Sequence, residues 1–444
     1  MTQIIAVRPF LHRALAAAGV LAAAFIGAVP CQAEDWPHWR GASRNDVLRE
    51  NSGWTNGHWF NETPVWSREV GEGSTSPLVI GTNLYVMGWS DDQDHLQCLS
   101  SSTGATAWQV SYSAPRYPRY AAGDKEVYGG PIATPEYDAE TSYLYTLGTD
   151  GALNGWNTRD RGRLVWSTNL YDAFHVPQRP AVKWADDDLR DYGYTTSPFV
   201  YGDDVIVEVG ASNGVVMAFA RRTGQLRWRS EATGFAGHSG GLTPITVESV
   251  PCLAVLTYDG LLVLRIDPGH EGKTVATYPW KSAYANNVLT PTAKDDCILL
   301  SGFHSHQSVC KLKITLHGAE KLWEARCYSA VGSPMVAGDR VYLTGDRLYC
   351  LDWQTGKIIW MGGSFGTGGA TMAAADGNLI VWSDRGKATL VAGATLSPDK
   401  YLELARLSRL VAAYQSWPHP VLANGPLFCK DRFGKLICLG PPAK

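Results

Sequence analysis

The chain of 444 residues carries 39 Lys and Arg against 42 Asp and Glu, a formal charge of −3, and its 18% charged content falls below the roughly 25% of ordinary globular domains. An apolar fraction of 45% excludes disorder, and mild acidity excludes nucleic acid or an anionic lipid surface drawn in by the overall field. With 46 Gly, 24 Pro and 17 Trp, the fold has to explain many turns and many of the largest side chains.

Residues 1–33 have the order of an export signal: a basic start at Arg8, His12 and Arg13, an apolar run over 14–30, and Cys31-Gln32-Ala33 before a cut near Ala33. The run is shorter than the roughly 20 residues that span a bilayer, and no later stretch is long and apolar enough, so no transmembrane segment is expected. The expected location is the periplasm or the outside of the cell. Lipid attachment at Cys31 would want a small residue where Val29-Pro30 stands. Removing the signal takes away two Arg and no acid, and the remainder becomes more acidic.

Residues 34–61 form a Trp-rich extension with Trp36, Trp39, Trp54 and Trp59. Trp36 and Trp39 read as a cap on one face of the following domain, with ligand stacking as the alternative. Residues 62–444 then read as one repeat domain. A hydroxyl residue followed by Pro and a short apolar run recurs at Ser76-Pro77, Thr134-Pro135, Ser197-Pro198, Thr243-Pro244, Thr290-Pro291 and Ser333-Pro334. Degenerate copies follow at Thr371-Met372 and His419-Pro420, giving eight units at spacings of roughly 40 to 60 residues.

Within a unit the order is constant and clearest over 333–360: three short strands separated by tight turns, then Asp352-Trp353-Gln354-Thr355-Gly356 and a fourth strand ending at Trp360. Thr-Gly followed by Trp recurs at Gly104 with Trp108 and Gly224 with Trp228, and weaker copies carry Trp166 and Trp323. Gly takes the positive φ of a tight turn, and Trp on the outer strand buries a large face between units, so Trp108, Trp166, Trp228, Trp323 and Trp360 read as docking residues. Four short antiparallel strands per unit predict an all-β, eight-bladed β-propeller. The eighth unit has only three strands, over 420–422, 427–430 and 435–439. Residues 63–70, with Trp66, are predicted to supply its outer strand and close the ring.

Eight Cys remain after position 33. Cys429 and Cys438 are symmetric about Phe433-Gly434, which suggests a cross-hairpin disulfide, with burial as small apolar residues as the alternative. A monomer is expected.

The Thr-Gly-x-x-x-Trp units and the Asp35-Trp36-Pro37-His38-Trp39-Arg40-Gly41 start resemble the pyrroloquinoline-quinone-like β-propeller superfamily of exported bacterial proteins, over nearly all of 66–440. The resemblance implies one of two functions. Quinoprotein dehydrogenases, of the alcohol or sugar type, hold the quinone at the channel mouth against a Trp and a ring of two adjacent Cys, with Ca²⁺ on carboxylate and amide oxygens. Other members hold no cofactor and act as binding platforms, such as the scaffold component of the outer-membrane protein assembly machinery. This chain has no adjacent Cys pair. The favoured expectation is therefore a non-catalytic platform for an exported protein or small ligand, without cofactor. The alternative is an oxidoreductase using the quinone and Ca²⁺.

Local motifs carry less. Gly237-His238-Ser239-Gly240-Gly241 fits G-x-S-x-G but precedes a strand, with no helix after it. His304-Ser305-His306 and Asp186-Asp187-Asp188 read as solvated loops, with metal binding as the alternative. The segments crossing from one unit's outer strand to the next unit's inner strand are richer. They bring Tyr128, Tyr192, Tyr194, His238, Asn286, Asn287, Trp417 and His419 toward one channel mouth as a ligand-binding set, with capping of strand ends as the alternative.

Overall fold

A computed structural model describes Met1 and residues 33–115, 129–177, 191–412 and 416–441. Its strands form eight four-stranded sheets, each antiparallel in sequence order. Blades 1 to 7 occupy residues 78–113, 136–169, 199–229, 243–279, 292–325, 335–362 and 371–407. Blade 8 is composite: Val421–Leu422, Leu427–Lys430 and Lys435–Leu439 are completed by Trp66–Glu69, whose Trp66 pairs with Cys438 and Glu69 with Lys435. The ring is an eight-bladed β-propeller closed by an N-terminal strand. Among the described residues no helix is long and apolar enough to cross a membrane.

Burial follows from blades packing face to face. A middle strand such as Asp204–Ala211 is covered on both faces and is apolar almost throughout, whereas the outer strand Thr106–Ser113 alternates exposed with part-buried residues. The outer-strand Trp then meets the next blade. A Cβ at Gly104, Gly162, Gly224 or Gly356 would fall 2.6–2.8 Å from the ring of Trp66, Trp108, Trp166 or Trp323 respectively. All four glycines hold φ near +70°. The glycine thus serves twice, as a left-handed turn residue and as the flat seat for a neighbour's indole. The Nε1 groups of Trp66, Trp166 and Trp323 donate to Ser101 O, Arg221 O and Trp353 O beside those seats. Trp228 instead donates to Asp204 Oδ2 of its own blade, and Trp360 is buried between Tyr342 and Tyr401.

The recurring hydroxyl has a second role. Ser76 N donates to Thr134 Oγ1, Thr290 N donates to Ser333 Oγ, Ser197 Oγ donates to Gly240 O and Thr243 Oγ1 donates to Pro291 O. His419 N donates to Ser76 Oγ and carries the chain of bonds across the closure. The innermost strands are therefore stitched to each other around the channel by hydroxyls, because their own sheet edge has no strand partner.

The cross-hairpin disulfide is corrected by the register. Cys429 stands opposite Ile437 and Cys438 opposite Phe428, so the two side chains leave opposite faces of the blade. Asp431 sets this offset: its Oδ1 accepts from the backbone N of Phe433, Gly434 and Lys435 at 3.0 Å each, lengthening the turn asymmetrically. Both thiols are free and buried, and burial pushes Cys438 up to about 12 and Cys429 higher still.

Candidate functional site

Residues 33–61 lie across one face of the ring and touch every blade or the crossing that leads into it. Trp36 bridges Val79 of blade 1, Tyr137 N of blade 2 donates to Pro37 O, and Arg44 stacks on Phe199 of blade 3. Trp39 Nε1 donates to Thr290 Oγ1 at 3.0 Å while its ring rests on Gly240 and Gly241 before blade 4, where a Cβ would stand 2.7 and 2.5 Å away. Arg40 reaches Thr292 Oγ1 of blade 5 and Pro334 O before blade 6, Leu48 N donates to Ala373 O of blade 7, and Glu50 accepts from Asn424 and Gly425 N of blade 8. The glycines of the Gly237–Gly241 motif are thus explained by clearance for Trp39 and for the Leu256 carbonyl, not by a catalytic elbow.

Two buried ion clusters hold this segment down. Arg40 and Asp46, each 1% exposed, pair at 2.5 Å, and His419 Nδ1 lies 3.6 Å from Asp46. Burial works to raise the Asp46 carboxyl, but Arg40 and His419 outweigh it and hold it below the usual range. Glu136, wholly buried, accepts from both terminal nitrogens of Arg44 and from Val200 N, with His38 Nδ1 at 3.1 Å. Burial again opposes ionisation, and Arg44 and His38 win, holding Glu136 at about 2.

A depressed carboxyl stabilises above its unfolded pKa, near 4.5, and that contribution is lost as pH falls through about 2. Glu136 is therefore expected to supply about 3 kcal/mol at neutral pH that disappears across this acid window. Urea unfolding at pH 6, 4 and 3 checks this. Wild type should lose stability steeply, Glu136→Gln should be weaker at pH 6 with a flatter pH dependence, and equal slopes would refute the assignment.

On the other side of Trp39, toward the crossing segments, the channel opens into a cup of about 150 Å³. Among the described residues, Tyr192, His238, Asn286, Trp417 and His419 of the expected set line it. Two members of that set lie elsewhere. Tyr194 packs on Tyr171 at 4.7 Å and donates its hydroxyl to Val209 O, and Asn287 is buried with its Nδ2 donating to Thr257 O. Tyr128 lies outside the described residues. Trp39 forms one wall, its ring 4.3 Å from that of His419.

The remaining lining was missed although a positional signal exists. Ser74, Ile132, Thr195, Val288 and Val331, like the expected Trp417, each stand two residues before the recurring hydroxyl or its His419 counterpart. One position of the repeat builds the rim.

The chemistry of the cup is narrow. Among the described residues, none that lines it is Asp, Glu, Lys or Arg. His238 Nδ1 is bonded to Ala285 O and its Nε2 accepts from Tyr192 N, so both ring nitrogens are committed to holding crossings together. Ser239 is fully buried with its hydroxyl on Gly241 O. His306 stacks on Trp280 and His304 lies against Tyr284. Among the described residues no group of three or more His, Cys, Asp or Glu could hold a metal ion, and Asp186 to Asp188 lie outside them. An anionic quinone with Ca²⁺ requires cationic and carboxylate partners, and the described lining of the cup, which offers neither, does not fit it.

The family model of outer membrane protein assembly factor BamB matches residues 125–362, more than half of the chain. The chain belongs to this BamB family. Among solved structures, it resembles BamB from Moraxella catarrhalis at 13% identity and a TM-score of 0.58, covering 85% of this chain and 99% of that one. Sqt1 from Saccharomyces cerevisiae is similar at 9% identity and a TM-score of 0.56, over 85% and 98% of the two chains. The computationally designed Ika8 protein gives 9% identity and a TM-score of 0.53, over 84% and 99%. At these identities the BamB and Sqt1 likenesses carry the propeller fold alone. No curated protein matches the chain.

Proposed function

We propose that this chain is an exported, non-catalytic binding platform of the cell envelope, which holds a protein partner or ligand at the channel mouth formed by its crossing segments. The observation that carries this reading is the cup itself: an aromatic concavity, with no charged side chain among its described lining, built by the crossings into all blades but the seventh. Membership of the BamB family, whose name denotes an assembly factor, supports a protein as the partner. The basic and apolar order of residues 1–33 supports export.

Photo-crosslinking inside intact cells tests the platform. A crosslinker placed at Asn286, on the cup, is expected to capture one defined envelope protein, and the same group at Gly338, on the opposite face, is not. Equal capture from both positions, or none from Asn286, would overturn the assignment. Adding the quinone with Ca²⁺ to the purified protein is expected to give no saturable binding and no dye reduction with alcohols or sugars.

A further inference from the structure

The volume, lining and charge of the cup together define what it can accept, and the inference drawn from them deepens the platform reading and rests on it. A cavity of about 150 Å³ is the size of an engineered apolar protein cavity that takes up benzene. It has room for one six-membered ring, with the rest of the occupant on the open side. Trp39, Tyr192 and Trp417 supply aromatic surface, and Val288 and Val331 supply aliphatic wall. Aromatic pairs in such settings add roughly 0.5–1.5 kcal/mol beyond the area they bury.

The polar equipment is equally specific. The Asn286 side chain is half-buried and makes no hydrogen bond among the described residues, whereas His238 and Thr195 on the same wall are already bonded. An amide left open can meet one hydroxyl or one N–H on the edge of a ring. Ionic ligands meet the opposite situation. Among the described residues no cation lines the cup to receive an anion, and two carboxylates stand behind its wall, Asp46 beside His419 and Asp191 beside His238, with Asp46 already paired to Arg40. A charged ring would be desolvated without a counter-ion.

We propose that the cup seats a single uncharged aromatic ring bearing one hydrogen-bonding group at its edge, the chemistry of phenol and of a tyrosine side chain.

Titration calorimetry with saturation-transfer NMR on the full mature chain tests this with phenol, benzoate, benzylammonium, cyclohexanol and N-acetyltyrosinamide. Phenol is expected to bind saturably at one site with a Kd of about 1 mM. Benzoate, benzylammonium and cyclohexanol should each bind at least tenfold more weakly. Tighter binding of N-acetyltyrosinamide than of phenol would assign the ring to a partner's side chain. Binding of phenol with exclusion of the amide would assign it to a free small molecule.

Val331→Phe and Ala330→Phe each fill the cup from a different crossing and should weaken phenol at least tenfold. Their thermal unfolding is followed in parallel, so that a variant that fails to fold is set aside for the other. The absence of saturable phenol binding, benzoate or benzylammonium within threefold of phenol, or full binding by a folded filled variant would overturn the proposal. Loss of ring binding with an intact Asn286 crosslink would refute this inference and leave the platform standing. Ring binding without a crosslink would do the reverse.

Discussion

Replacing Arg40 by Ala is expected to cost about 3–5 kcal/mol, the range measured when one partner is removed from a buried ion pair. The guanidinium is 1% exposed and holds three partners at once: Asp46 Oδ2, Thr292 Oγ1 and Pro334 O. Its loss leaves the Asp46 carboxylate buried beside His419, takes the donor from Thr292 Oγ1 and leaves Pro334 O with the Thr292 hydroxyl alone. Arg40→Lys rescues little, since an ammonium cannot span the three acceptors. The loss should be concentrated in residues 33–61, so limited proteolysis would cut there before global unfolding. The pair replacement Arg40→Met with Asp46→Leu should recover most of the stability. Equal protease resistance of wild type and Arg40→Ala would refute the view that this cluster fastens the segment.

The second large effect belongs to ring closure. Trp66→Ala is expected to lower stability by about 3–5 kcal/mol, as for other buried aromatic truncations. Trp66 is 8% exposed, packs 6.0 Å from the Phe428 ring within its own blade and covers Gly104 of blade 1. Its loss opens a cavity at the one interface where the two ends of the chain meet. Trp108→Ala, at an interface between consecutive blades, should cost less because its ring is less buried. Denaturant unfolding of the two variants compares them directly. A smaller loss for Trp66→Ala than for Trp108→Ala would contradict this ranking.

The architecture was legible in the sequence because repetition amplifies weak signals. A single hydroxyl-Pro pair means little, but six in register with two degenerate copies fix the inner strands, and Gly with Trp fixes the seam between neighbours. The ring closure was legible for the same reason, since residues 63–70 read as an outer strand without a blade and the last blade lacked one.

Side-chain direction was less accessible. Tyr192 and Tyr194 lie on one crossing, yet one faces the channel and the other turns into the seam against Tyr171. Asn287 and its neighbour Asn286 divide in the same way. The cysteine pairing failed by one residue, because symmetry of spacing does not register a turn pulled off-centre by the Asp431 carboxylate. Trp39 was read as a cap or a stacking residue, and it does form a wall of the cup. That placement depends on contacts over 251 residues of chain, which no local pattern carries.

Those long separations set the order in which the molecule can be assembled. Asp35 Oδ1 accepts from Asn424 Nδ2, 389 residues away, and Trp66 pairs with Cys438. Blades 1 to 7 can form as the chain emerges, because each closes over local hairpins. Trp36 can bridge Val79 as soon as blade 1 is made, but Trp66 is made early and paired last: its strand waits until the final hairpin, with Cys438, has been synthesised. During that interval the closing strand has no edge to pair with, and the last blade, short of its outer strand, presents an open sheet edge of its own.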